Sequence, residues 1–243
     1  MLSIFRKEIN LFFSSLIGYI VIGVFLVVLG LFLFVFPDTS ILNFGFASLD
    51  PLFSMAPNIF VFLIPAITMR TFAEEQQSGT IELLITRPIS DWQIILGKYL
   101  ASFVLVAFAL LPTLLYYYTV YDLGAPQGNL DSGGIMGSYV GLLFLAAGFV
   151  AIGIFASSIT PNQIVAFLAA TALCFWFYWG FDYFSRLPVF VGKGDDIVQM
   201  MGMLYHYDSL SRGVIDSRDV IYFLSLSGFF LFLSMLALER RKW

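Results

Sequence analysis

Charge is scarce in this sequence. Only 12% of its 243 residues are Asp, Glu, Lys or Arg, whereas 60% are hydrophobic. Soluble domains run near 25% charged and 45–50% apolar. No water-soluble fold hides that much apolar surface, so the solvent is a bilayer. Cysteine is nearly absent. Cys174 stands alone inside an apolar run, which excludes a disulfide framework and a cysteine-based metal cluster. The only histidine, His206, sits in "YHYD" without a sequence partner for metal or triad chemistry. It reads as a surface histidine in an outer loop. A phosphate-cradling G-x-x-x-x-G-K-[ST] is missing. Gly97-Lys98 is followed by Tyr99 and lacks the upstream glycine, and "VGKGDD" from Val191 fails in the same way. There is no G-x-S-x-G for a serine hydrolase. The net charge of −4 gives no reason to expect nucleic acid.

Long apolar runs are what the chain does have. Crossing about 30 Å of hydrocarbon takes roughly 20 helical residues. Six runs qualify, near residues 17–36, 57–73, 99–121, 135–157, 163–184 and 219–238. The second is short and carries Pro57 and Pro65, which a kinked helix tolerates inside a membrane bundle. The first is too long for the core of a signal peptide and no small-residue cleavage site follows it, so it reads as a retained span. Span interiors are almost free of ionisable groups: Asp182 falls near one end of the fifth span, and Arg70 and Glu74 near one end of the second. Ion-coupled carriers keep charges at mid-depth for use, so this pattern argues against ion-coupled transport. Neither half looks like an inverted repeat of the other.

Six spans return the chain to its starting side, and Lys and Arg choose that side. Arg6 and Lys7 precede the first span. Arg70, Arg87 and Lys98 lie around the connection between the second and third, and Arg240-Arg241-Lys242 follow the sixth. The connections at 37–56 and 122–134 hold no Lys or Arg, only Asp38, Asp50, Asp122 and Asp131. The connection at 185–218 is mixed, with Arg186, Lys193, Arg212 and Arg218 beside Asp195, Asp196, Asp208 and Asp216. The expectation is that both termini and the segment from Glu74 to Lys98 face the cytoplasm. Aromatic residues agree: Tyr116 to Tyr118, Tyr121, Trp176, Tyr178 and Trp179 fall at outer ends, and Trp92 and Trp243 at inner edges.

Two segments outside the spans carry helical patterning. "MLSIFRKEINLFFSS" puts Leu2, Phe5, Ile9, Phe12 and Phe13 on one face and Arg6, Lys7 and Asn10 opposite. It reads as an amphipathic helix in the interface plane, or as a plain helix extension with a polar collar. "EEQQSGTIELLITRPISDWQIILGK", Glu74 to Lys98, reads as a polar hairpin. Ser78-Gly79-Thr80 suits a helix start, Glu82 its first turn, and Ile81, Leu84 and Ile85 a stripe. Arg87 falls in its last turn and Pro88 stops it. Ser90 and Gln93 then form an S-x-x-Q capping box. A plain connection needs only a few residues. A capped segment with an apolar stripe suits a groove in a soluble partner.

This stretch resembles the coupling-helix region of ABC-2 type permeases, whose pattern is an acidic pair, S-G-T-I-E-x-L-L, P-[IVL]-S/T and a run ending G-K: the sequence shows Glu74-Glu75, Ser78-Gly79-Thr80-Ile81-Glu82-Leu83-Leu84, Pro88-Ile89-Ser90 and a closing Gly97-Lys98. "LSRGVIDSRDVIYFLSL", Leu210 to Leu226, resembles that family's entry into its last span, and "LERRKW" its usual ending. "YYYTVYDLGAPQGNLDSGGIMGSY" and "GIFASSITPNQIVAF" are similar to the permease subunit of the ABC system associated with gliding motility. The resemblance implies a single all-α domain over 1–243: six transmembrane helices, an N-terminal amphipathic helix, a cytoplasmic coupling hairpin between helices 2 and 3, and an outer interfacial or re-entrant segment before helix 6. It implies a bacterial inner-membrane permease of an ATP-driven exporter with no cofactor of its own. ATP and Mg would sit on a separate cytoplasmic ATPase. Further partners would be a second permease copy or an auxiliary membrane subunit with an extracytoplasmic domain, and membrane lipids. Glu74, Glu75, Gly79, Thr80, Ile81, Glu82, Leu84, Arg87 and Pro88 would make the ATPase contact.

Gly133, Gly137 and Gly141 repeat every four residues. They form a smooth strip for close packing, either within the chain or against a second copy. In the outer segment, Ile197, Met200, Met201 and Leu204 suit one amphipathic helix, an outer gate or an interfacial anchor. Two other classes stay open. One is a non-transporting scaffold that passes ATPase motion to an extracytoplasmic partner. The other is an intramembrane lipid-modifying enzyme, for which the spans supply few convergent polar residues.

Overall fold

The structure, a computed structural model, describes residues 1–43, 47–81, 89–188, 192 and 194–240. Among these the chain is helical and contains no strand. A short helix α1 (Leu2–Ser14) is followed by α2 (Leu16–Phe34) with only Ser15 between them. Ser15 is extended and its hydroxyl accepts the Gly18 N–H at 3.3 Å, so α2 begins on its own cap rather than continuing α1. The next elements are α3 (Asp50–Thr68), α4 (Arg70–Gln77), α5 (Asp91–Leu110) and α6 (Leu114–Leu123). After them come α7 (Ser132–Ile159) and α8 (Gln163–Phe175). A π-helical turn at Trp176–Gly180 joins α8 to α9 (Phe181–Ser185). Last are α10 (Asp195–Gln199), α11 (Met203–Leu210) and α12 (Ser217–Glu239).

Six helical stretches are long and apolar enough to cross a membrane: Leu16–Phe34, Asp50–Gln77, Asp91–Leu123, Ser132–Ile159, Gln163–Ser185 and Ser217–Glu239. They fall on the six apolar runs of the sequence. Side-chain caps open four of them besides α2: Asp131 accepts from Gly134, Asn162 from Ile164 and Val165, Asp216 from Arg218, and the Ser90–Gln93 box is formed in both directions. The second stretch is longer than its apolar run. It begins at Asp50, with Pro51 in the first turn, where a missing N–H costs nothing, and it carries Pro57 and Pro65 inside. Its 28 residues span about 42 Å at 1.5 Å each, well over the hydrocarbon thickness. The surplus is α4, where Glu74 and Glu75 are helical rather than hanging below the span.

Helix α7 is the hub, packing against α3, α4, α5, α8, α11 and α12. Glycines make the approaches possible. A Cβ at Gly153 would lie 2.0 Å from Thr68 Oγ1, just before α3 gives way to α4 at Met69. One turn on, the Ser157 hydroxyl accepts from the N–H groups of Phe72 and Ala73, at 3.0 and 3.1 Å, and donates to the Met69 carbonyl at 3.0 Å. Gln76 adds a bond to the Ser158 carbonyl at 2.9 Å. The backbone groups freed at the α3–α4 joint are thus satisfied from α7.

At the opposite end of the bundle the structure corrects two expectations. The single amphipathic helix expected over Asp195 to Leu210 is two short ones, broken at Met200–Gly202. The face of α11 turned inward is Met203, His206, Tyr207 and Leu210. His206 is therefore not a surface residue. Its Nδ1 lies 2.7 Å from Asp219 Oδ1, its Nε2 lies 2.9 Å from the Met200 carbonyl, and its ring stacks on Tyr222 at 3.9 Å. Ser209 donates to the other Asp219 oxygen. Serine and imidazole both bond the carboxylate rather than each other, which is not the order of a nucleophile, its base and an orienting acid.

Candidate functional site

The most concentrated charge in the fold lies where α1, α4 and α5 meet, at the base of the polar hairpin. Lys98, one turn into the apolar stretch of α5, is only 1% exposed. Its Nζ donates to Glu8 Oε1 on α1 at 2.7 Å and to the Thr71 carbonyl on α4 at 2.5 Å. It lies 2.9 Å from Glu75 Oε2, close enough for an ion pair though not aligned for a hydrogen bond. It also stands 5.0 Å from the centre of the Phe72 ring. Lys7, from α1, donates to the other Glu75 oxygen at 2.5 Å. Two ammonium groups and two carboxylates therefore alternate and leave no net charge. Burial by itself would lower the Lys7 ammonium, but the hydrogen bond and charge of Glu75, with the charges of Glu8 and Glu74, outweigh it and hold it above its ordinary value.

Backbone contact brings these charges together. A Cβ on Gly97 would lie 3.1 Å from Ile4 Cγ2 and 3.3 Å from the Met1 carbonyl, so the glycine lets α1 lie close on α5. The inward face of α1 runs Ile4, Glu8, Phe12, a helical spacing that starts one residue before the Phe5 of the face read from sequence. Lys7, expected in water, reaches back to Glu75 instead. Beside these charges a cavity of about 340 Å³ opens between α1 and α4, lined by Lys7, Glu8, Phe12, Arg70, Glu74 and Glu75 among others.

A family model, described as ABC-2 family transporter protein, matches residues 2–238. The chain belongs to the ABC-2 transporter family. A search of curated proteins returns no match. Six stretches able to cross a membrane and this membership fit the membrane-spanning subunit of a transporter, and such permeases typically work with a cytoplasmic ABC ATPase.

The residues singled out in this ABC-2 chain have different fates. Glu74 is exposed and forms a two-pronged pair with Arg70, at 2.9 and 3.1 Å. Glu75 is turned inward to Lys7 and Lys98, so its carboxylate is engaged within the chain. Gly79 has a φ of 70° and Ser78 bonds back to the Glu74 carbonyl at 2.8 Å. Ser78-Gly79 thus ends α4, and the helix read from sequence as starting there runs into residues 82–88, outside the described residues. The Thr80 hydroxyl lies 2.9 Å from that of Ser78, and Ile81 packs on the edge of the core. Glu82, Leu84, Arg87 and Pro88 lie outside the described residues. Cβ atoms at Gly137 and Gly141 would lie 2.4 Å from the Gly213 carbonyl and 2.7 Å from Leu210 Cβ, whereas at Gly133 the nearest neighbour is the helix's own Asp131 cap. Met200 and Met201 expose their side chains and lend their carbonyls to His206 and Tyr222, while Leu204 packs on the core.

Sequence reasoning missed Lys98, Glu8 and Ser157. In the sequence Lys98 reads as a marker of sidedness and as the end of the Gly97-Lys98 pattern, not as a buried charge. A lysine lodged inside a span beside a glycine, with an acidic residue in an otherwise basic leading helix, was the available signal.

Proposed function

We propose that this chain is the permease subunit of an ATP-driven exporter in the bacterial inner membrane, of the gliding-motility type, moved by a separate cytoplasmic ATPase that grips its hairpin. The supporting observation is the build of the hairpin base. α4 continues the second span beyond hydrocarbon depth, is clasped by Ser157 of α7, and is tied to α5 through Lys98. A push on residues 79–89 would therefore enter two spans and the hub through rigid contacts rather than a slack loop. The chain's lack of a Walker motif and its capped polar hairpin are then complementary: ATP and Mg belong to the partner, and motion belongs here. The basic residues before the first span, around the hairpin and after the sixth support a cytoplasmic side for all three. The acidic opposite end, with α10 and α11, then faces outward and would close the exit. An auxiliary subunit with an extracytoplasmic domain would dock on that side.

The test is a flexible insertion at Gly79, with Glu82→Lys as a second variant. The expected result is loss of the co-purifying ATPase, or of its substrate-stimulated hydrolysis in liposomes. Full recovery and full stimulation with both variants would end the proposal.

A further inference from the structure

We propose that Lys98 is a positioning residue that locks the N-terminal helix and the hairpin base into one lever. The idea rests on the coupling role above and names the part that makes it rigid. Three elements from distant parts of the chain converge on one ammonium group: Glu8 of α1, the Thr71 carbonyl and Glu75 of α4, and the α5 backbone that carries Lys98.

Its geometry suits alignment more than adhesion. Taking these charges out of water is costly, and well-packed apolar groups in their place generally hold as well or better. What a buried, fully paired lysine adds is register. An ammonium that must meet a carboxylate on each side and a carbonyl tolerates little sliding of α1 past α4. Other contacts hold α1 to α5: Ile4 lies on Gly97, and Phe13 packs edge-on to Phe108 at 5.2 Å. Toward α4 a cavity opens beside the charges, and the extended Ser15 separates α1 from α2. The pairing of Lys7 with Glu75 cannot replace the lock, because Lys7 is nearly half exposed and competes with water. With Met at position 98, only the half-exposed Lys7 bridges Glu8 and Glu75 across the joint. α1 keeps its Ile4 and Phe13 contacts with α5 but loses the buried link through Lys98 to α4, so a push on the hairpin passes less firmly to α1.

Nitroxide labels at the exposed Asn10 of α1 and Gln77 of α4, on the full chain in nanodiscs, report the lock directly. The native Cys174 is fully buried and does not compete for label. The wild type should give one narrow distance distribution, Lys98→Met a broad one, and Lys98→Arg, which keeps a cation that both carboxylates can meet, a narrow one again. Amide exchange over residues 5–10 should quicken about tenfold or more in Lys98→Met, since a broken buried pair costs more than one factor of ten. Should Lys98→Met fail to fold, Glu8→Gln, which keeps the shape of the side chain and removes its charge, decides: a broadened distribution supports the lock. A distribution as narrow as wild type in a folded Lys98→Met, or failing that in Glu8→Gln, overturns it. The measurement uses no ATPase, so failure to recover a hydrolase with the chain would count against the coupling role and leave this result standing.

Discussion

The two ends of the bundle fasten short helices to it by different means. At the hairpin end α1 is tied by charge, with Lys98 and Lys7 interleaved between Glu8 and Glu75. At the other end α11 is seated by shape. Gly137 and Gly141 of α7 form a notch whose floor meets backbone and Cβ atoms of the segment from Leu210 to Gly213, and His206, Ser209 and Asp219 close its side with hydrogen bonds. Contacts of the second kind stop at van der Waals range and admit one arrangement. Contacts of the first kind rest on a few charged side-chain atoms, of which the half-exposed Lys7 competes with water while the buried Lys98 does not.

Filling the notch should have the largest effect. Gly137→Leu puts a side chain where even a Cβ lies 2.4 Å from the Gly213 carbonyl. Backbone must move, so the loss should be about 3 kcal/mol, the upper part of the range for overpacked sites. It is read as a lowered Tm in detergent together with faster amide exchange in α11. Gly23→Ala and Gly228→Ala, where an added Cβ meets nothing within 4 Å, should leave Tm unchanged or slightly raised. A Gly137→Leu protein that melts with the wild type would mean α11 does not sit in the notch.

Next is the joint between α3 and α4. Ser157→Ala deprives the Phe72 and Ala73 N–H groups of their shared acceptor. Donors left unpaired in a buried setting cost about 1–3 kcal/mol, so about 2 kcal/mol is expected, with exchange rising at those amides first. Ser158→Ala, whose hydroxyl bonds only the Phe155 carbonyl of its own helix, is the matched control and should shift Tm little. Equal Tm losses from the two would remove the special role given to Ser157.

The sequence made some of this legible and hid the rest for physical reasons. Span number, order and most N-caps follow from hydropathy and from a short polar residue ahead of an apolar run, both local signals. The second helix outruns its apolar run because helix persists beyond hydrocarbon depth, and polarity marks the edge of the membrane rather than the end of a helix; the third helix does the same, from the Ser90–Gln93 box legible in the sequence. The lysine knot was hidden because its members lie 90 and 23 positions apart in the chain, Glu8 and Glu75 meeting Lys98 only through the tertiary fold. His206 misled in the same way: its partner Asp219 belongs to the next helix, and a histidine among polar neighbours looks solvated until that helix is placed beside it.

The smallest expected effect separates the charged joint from the shaped one by pH. Lys7 has its ammonium form favoured in the fold, above the ordinary 10.5, because Glu75, Glu8 and Glu74 outweigh its burial. A group with a raised folded value contributes fully below its unfolded value and loses that contribution as pH climbs through the folded one. The hold of α1 on α4 through Lys7 should therefore stay constant from neutral pH to about 9 and weaken only above the ordinary lysine range. The change should be slight, since Lys7 is 46% exposed at its side chain and water screens the pair. The Asn10–Gln77 distance distribution reads it as a broadening on the alkaline side. In Lys7→Gln that alkaline broadening should shrink, because the titrating partner of Glu75 is gone. An equal broadening in both proteins would assign the transition to another group and leave Lys7 a bystander at the joint.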